Sequence, residues 1–374
     1  MNTIQHSVPV WAVGPRPRNP KFGGGRQEEA FRPVETRLHG IQKLSSQVQT
    51  ASGLPLLTSF HIGLELEIDM PYARLYSPWA IKFDRLVRGI RDGDFPRVLA
   101  LTAPCFGFEG AEKGGILSTE KWLSERAYEL HCAAIRHAQE LAELQFGEGK
   151  VIWWPGFDSM PVGRFTEHYT VEAALERFFD FWCKVLDTTN GQVHFEFKPG
   201  DPGIDYIRTL EGAIAFAYKV NSALGRKAML LNNEWAHILA TGISVASATA
   251  RTIETGLFDG FVHVNWGERC PVNIDHLIQQ GLPTPVQTDW DWHVGYFQHP
   301  TEWEDQLAAV RNLLAWRGKV FAEHDVYSQL DNPFDYVKLS IDGLEELARH
   351  VTQGPPPVGE SLAAARKPSG KKLK

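Results

Sequence analysis

An alternation constrains this chain more than any other feature. Short runs rich in β-branched and aromatic residues occur at Leu57–Ile62, Arg97–Thr102, Val151–Trp154, Gln192–Phe197, Ala228–Leu231, Gly260–Asn265 and Lys319–Ala322. Between them lie Thr119–Gln145, Val171–Leu186, Tyr206–Leu224, Ser244–Thr255 and Glu302–Ala315, where apolar residues recur every three or four positions, the period of a helix. Short strands alternating with helices specify βα units and a parallel sheet. Seven such runs, with a weaker eighth at Thr284–Thr288, predict a closed (β/α)8 TIM barrel rather than an open sheet. No GxGxxG or GxxxxGK[ST] segment follows a strand, so dinucleotide and P-loop readings have no support.

The flanks differ in composition. Residues 1–50, rich in Pro, Gly and Arg early on, read as an N-terminal arm with one helix at Gln27–Ser45. Residues 51–335 hold the barrel. Residues 336–374 read as a C-terminal helix and a flexible basic tail that ends KPSGKKLK.

With 374 residues, 43% of them hydrophobic and 22% charged, the chain can bury a large core, which excludes intrinsic disorder. The 38 basic and 45 acidic residues leave a net charge of −7, which calls for neither nucleic acid nor an anionic membrane surface. Cys105, Cys132, Cys183 and Cys270 form no CxxC pair. That argues against a disulfide scaffold and a thiolate metal site, and makes a reducing cytoplasm the simplest compartment. No run approaches the ~20 apolar residues of a membrane span, and the N-terminus lacks the pattern of a secretory signal.

Catalytic groups of a (β/α)8 barrel come from the C-terminal ends of its strands. Here those ends carry His61, Trp154, Glu196 with Lys198, Glu234 with His237, His263, Asp289 with Asp291, and Glu323. Glu196 and Lys198 are two residues apart and share a strand face. Carboxylates crowded at one barrel mouth repel unless a cation neutralises them, so a divalent metal site, or two, is expected. Carboxylate and imidazole ligands without thiolate suit Mn²⁺, Mg²⁺ or Co²⁺. The Lys198 ammonium can stabilise an oxygen as negative charge develops on it.

This pattern resembles the xylose isomerase and L-rhamnose isomerase superfamily of metal-dependent aldose–ketose isomerases, from about His61 to Gln329. NNEWAHILATGISVASATARTIETGLFDGFVHVNWGE is similar to the family's run from an E-x-x-H pair to a strand ending N-x-G-[DE], and FEFKPGDP resembles its E-x-K-P segment. The resemblance implies one metal held by Glu196, Glu234, His263 and Glu323, and a second held by Glu234, His237, Asp289 and Asp291. It also implies Lys198 at the substrate carbonyl, and His61 and Trp154 against the sugar. Catalytic roles would fall to Lys198, His61, Asp289 and Asp291, in a metal-assisted hydride shift on a free monosaccharide by a homodimer or homotetramer.

Departures bear on the choice of sugar. His263 stands where xylose isomerases carry aspartate and L-rhamnose isomerases a metal-binding histidine, and Glu323 replaces an aspartate. Leu64 occupies the place of an acidic partner of His61, and Arg269–Pro283 is an insertion, expected to lie over the barrel mouth and act on substrate choice. Two alternatives stand beside isomerisation: a metal-dependent sugar or sugar-acid epimerase or lyase working through an enediolate, and a non-catalytic sugar-binding barrel.

Overall fold

The computed structural model describes residues 2–13, 33–60, 68, 80–103, 113–144, 149–155, 170–197, 207–268, 292–294, 303–325 and 333–354. Within it the β-branched and aromatic runs form short parallel strands: β2 (Leu57–Phe60), β3 (Val98–Thr102), β4 (Lys150–Trp153), β5 (Val193–Phe195), β6 (Met229–Leu231), β7 (Asn233–Glu234), β8 (Phe261–His263) and β11 (Val320–Glu323). One barrel strand comes from an unexpected place. Ile4–Pro9, inside the stretch read as an arm, is β1, and it pairs in parallel with β11 on one side and β2 on the other. The expected strand at Thr284–Thr288 lies outside the described residues.

The hydrogen-bonded order is β6-β5-β4-β3-β2-β1-β11-β8-β7. Asn232 alone separates β6 from β7, so these are two halves of one strand. The first half pairs with β5 and the second with β8. This hand-over closes a ring of eight strand positions, the expected (β/α)8 barrel. Gly260 opens β8 with φ +90, and a Cβ there would sit 1.9 Å from the Lys319 carbonyl oxygen. Only glycine lets β8 and β11 start so close together.

The helices are α1 (Val34–Ser45), α2 (Phe83–Asp92), α3 (Lys121–Leu144), α4 (Val171–Thr189), α5 (Leu210–Leu224), α6 (Trp235–Ala240), α7 (Val245–Glu254), α8 (Trp303–Ala315) and α9 (Pro333–Gln353). Their boundaries follow local chemistry. Thr170, Thr209 and Ser244 cap α4, α5 and α7 by accepting from Ala173, Gly212 and Ser247 N–H. Apolar stripes such as Leu123, Ala127, Leu130, Ala134, Ile135, Ala138 and Leu141 of α3 are buried in the core. Among the described residues no helix is long and apolar enough to cross a membrane.

Two further strands, β9 (Trp266–Glu268) and β10 (Trp292–Val294), form an antiparallel ribbon after β8. Residues 269–291 between them, which include the insertion Arg269–Pro283, lie outside the described residues.

Candidate metal centre

Successive residues of a strand point to opposite faces. Met229, Leu231 and Asn233 face the helices, where Asn233 Oδ1 accepts from Thr252 Oγ1 of α7 at 3.1 Å. Leu230, Asn232 and Glu234 therefore face the lumen. The same parity directs His194 and Glu196, Phe261 and His263, and Glu323 inward. It directs His324 outward, where Nε2 meets His6 Nδ1 at 2.8 Å and Nδ1 meets Ser340 Oγ of α9 at 2.8 Å.

Register then sets the level. Glu234 lies opposite His263, His263 opposite Glu323, and Glu323 opposite Ser7 of β1. Glu196 follows β5 directly. All four candidate ligands are buried. His263 Nδ1 lies 2.5 Å from Glu234 Oε2 and 3.1 Å from Glu196 Oε2, while Nε2 lies 3.3 Å from Glu323 Oε1. His237, three residues beyond Glu234 in α6, brings Nδ1 to 3.4 Å from Glu196 Oε1. One ligand atom from each of Glu196, Glu234 and His263 lies within 4.8 Å of the others. Ligands bonded to one ion at about 2.0–2.6 Å span that distance. Glu323 approaches from the other side of the imidazole.

Neutral donors, which carry no signal in a search for charged residues, hold these carboxylates. Asn232 Nδ2 donates to Glu196 Oε2 at 2.7 Å, and Asn265 Nδ2 donates to Glu234 Oε1. Ser7 Oγ is 3.5 Å from Glu323 Oε2 and 3.2 Å from Ser59 Oγ. Strand parity was the available clue: Asn232 lies two residues before Glu234, and Asn265 two after His263.

The electrostatics leave the cluster short of positive charge. Burial alone would lower the His263 pKa, but Glu196, Glu323 and Glu234 together raise it well above the ordinary value. Burial pushes the Glu323 carboxyl up to about 7, although His263 and Ser59 pull the other way. Three carboxylates thus share one imidazolium, and one of them stays protonated up to neutral pH. A divalent cation in the place of the His263 proton would relieve that deficit, so the donor set fits a metal.

Trp154 directly follows β4 and is buried. Its neighbour Trp153 packs outward on Trp182 and Phe178 of α4. His61, Lys198, Asp289 and Asp291 lie outside the described residues. A second polar cluster fills the opposite end of the lumen. There Asp259 Oδ2 accepts from Lys150 Nζ at 2.5 Å and His194 Nε2 at 2.7 Å. Burial disfavours the Asp259 charge, but His194 and Lys150 outweigh it and hold the carboxyl well below the usual range.

No protein-family model matches the sequence, and no curated protein sequence matches it. Solved structures do. A D-tagatose 3-epimerase-like protein superposes with a TM-score of 0.53 at 14% identity, covering 93% of this chain and 100% of that one. An L-ribulose 3-epimerase gives 0.54 at 15%, covering 95% and 100%. A xylose isomerase-like TIM barrel/4-hydroxyphenylpyruvate dioxygenase fusion protein gives 0.53 at 9%, covering 96% of this chain and 45% of that one. Identities this low carry the architecture alone: the chain has the fold of the xylose isomerase-like TIM barrels.

Proposed function

We propose that this chain is a divalent-metal-dependent enzyme that rearranges a monosaccharide at the carbon beside its carbonyl group, as an epimerase or an aldose–ketose isomerase. The observation that carries the reading is the buried Glu196, Glu234 and His263 trio, with Glu323 against the far nitrogen of the imidazole. Glu196, Glu234 and His263 would hold the ion, with Glu323 beside them. A bound Mn²⁺, Mg²⁺ or Co²⁺ would act as a Lewis acid on carbonyl and hydroxyl oxygens.

The chain's own residues supply the proton chemistry. Glu196 and Glu323 lie on opposite sides of His263, at its Nδ1 and Nε2 respectively. One carboxylate takes the proton from the carbon beside the carbonyl, and the electrons of that C–H bond pass into an enediolate. The other carboxyl returns a proton. Return to the opposite face of the same carbon is epimerisation; where the proton came from C1 of a ketose, its return to C2, with the C1 hydroxyl proton passing to O2, converts ketose to aldose. The L-ribulose 3-epimerase and the D-tagatose 3-epimerase-like protein that share the fold are named for this chemistry.

Hydride shift with two metals is the second reading. His237, 3.4 Å from Glu196 in the E-x-x-H pair, favours it by placing a further ligand type beside the first site. Protein stripped with chelator, reloaded with Mn²⁺, Co²⁺ or Mg²⁺ and incubated with aldoses and ketoses in deuterated water tests both. Proton transfer washes solvent deuterium into the product; hydride shift leaves it almost free of label. Absence of turnover with every metal and sugar would overturn the proposal.

A further inference from the structure

Two asparagines grip ligand carboxylates, and they differ in their second atom. Asn265 spends both ends: Nδ2 donates to Glu234, and Oδ1 accepts from Ala236 N–H at the start of α6, 3.0 Å away. Asn232 spends one. Its Nδ2 donates to Glu196 Oε2, which fixes the amide orientation because a carboxylate needs a donor, and Oδ1 has no hydrogen-bond partner among the described residues. Asn232 is 1% exposed, and parity with Glu234 places it on the lumen face beside the ligand cluster. Leaving a buried carbonyl oxygen unpaired forfeits the hydrogen bond it would make in water.

We propose that Asn232 is a substrate-orienting residue, whose Oδ1 accepts a hydrogen bond from a hydroxyl of the bound sugar while its Nδ2 keeps Glu196 in place. This rests on the monosaccharide reading above and adds to it a required hydroxyl donor next to the reacting carbons. A sugar lacking that hydroxyl leaves Oδ1 buried and unpaired, so the residue selects against deoxy analogues as well as for the sugar. Its position reinforces the role. At the break between β6 and β7 its backbone N–H still donates to Phe195 O at 3.0 Å, so its backbone is fixed to the strand that leads into Glu196.

The test is titration calorimetry of the Mn²⁺-loaded protein with D-fructose, D-tagatose, D-xylose and L-rhamnose, then with the monodeoxy analogues of the tightest binder. Wild type should bind one analogue roughly tenfold more weakly or worse. Asn232→Ala should bind that analogue and its parent within about twofold, whereas Ser7→Ala, which loosens Glu323 instead, should keep the penalty. If Asn232→Ala does not fold, Asn232→Asp carries the test. Its carboxyl presents an acceptor oxygen in the place of Oδ1 and should keep the tenfold preference, and losing that preference overturns the proposal. An unchanged deoxy penalty in Asn232→Ala, with only Mn²⁺ affinity reduced, would show that Asn232 merely holds Glu196. If no sugar binds the wild type, the monosaccharide reading falls and takes this role with it; a sugar bound without any deoxy penalty removes this role alone.

Discussion

Glu234→Gln separates a metal centre from a buried acidic cluster. Glu234 contributes Oε2 to His263 and Oε1 to Asn265, so glutamine keeps the shape, removes the charge and exchanges one acceptor oxygen for an N–H donor. An ion that binds the folded state alone stabilises it by about 2.7 kcal/mol at one hundred times its dissociation constant. Unfolding entropy of about 2.1 cal/mol/K per residue makes the 374-residue chain gain roughly 1 °C in Tm for each 0.8 kcal/mol. Saturating Mn²⁺ should therefore raise the wild-type Tm by about 3 °C, and the same Mn²⁺ should leave Glu234→Gln almost unmoved. In chelator the order reverses or levels, because the variant has lost one of three crowded carboxylates. Differential scanning calorimetry at pH 8, with EDTA and with Mn²⁺, reads both differences. An equal Mn²⁺ response in the variant, or none in the wild type, would refute the site.

The remaining predictions concern the scaffold. Burial between α3 and α4 lowers the His131 pKa to about 4, so its neutral form stabilises the fold above about 6.5 and that contribution fades as pH falls toward 4. The shift is worth up to about 3 kcal/mol, and His131→Leu should flatten that part of the urea midpoint's pH profile; an unchanged profile would count against it. Gly260→Ala should cost about 3 kcal/mol or more in urea unfolding, since it combines φ +90 with a clash on the Lys319 carbonyl. Asp259→Asn should destabilise the protein at pH 7 by leaving Lys150 and His194 without their carboxylate. The loss should shrink as pH falls below the ordinary aspartate range, where the unfolded chain takes up the proton that the folded Asp259 resists; a constant difference down to pH 2 would contradict it.

The barrel was legible because its βα period is local. All seven strand runs and the five helices between them follow from hydrophobic spacing, with ends such as Val171–Thr189 matching within a turn. Ile4–Pro9 was not legible. IQHSVP carries His6 and Ser7 in mid-strand, which read as an arm until β2 and β11 bury them, and the β11 contact closes over the length of the chain. Glu196, Glu234, His263 and Glu323 stood out because charge at a strand end is conspicuous. Asn232, Asn265, Ser7 and Ser59 did not, since neutral donors matter only once their distances to a carboxylate are known.

The row Glu234–His263–Glu323 has a consequence for ion size. Its members are lateral neighbours, so their angular spacing around the barrel is set by the ladder, at about 4.8 Å per strand, and not by how side chains pack. Side-chain length is then the free dimension, and it acts along the radius. Exchanging aspartate for glutamate at one rung lengthens the reach of its donor by about 1.5 Å. This chain has the longer arm at 196, 234 and 323 alike. In the proposed site the donors would therefore reach further toward the barrel axis than aspartates would, and shortening any one arm should open the cage on that side and shift preference toward a larger ion.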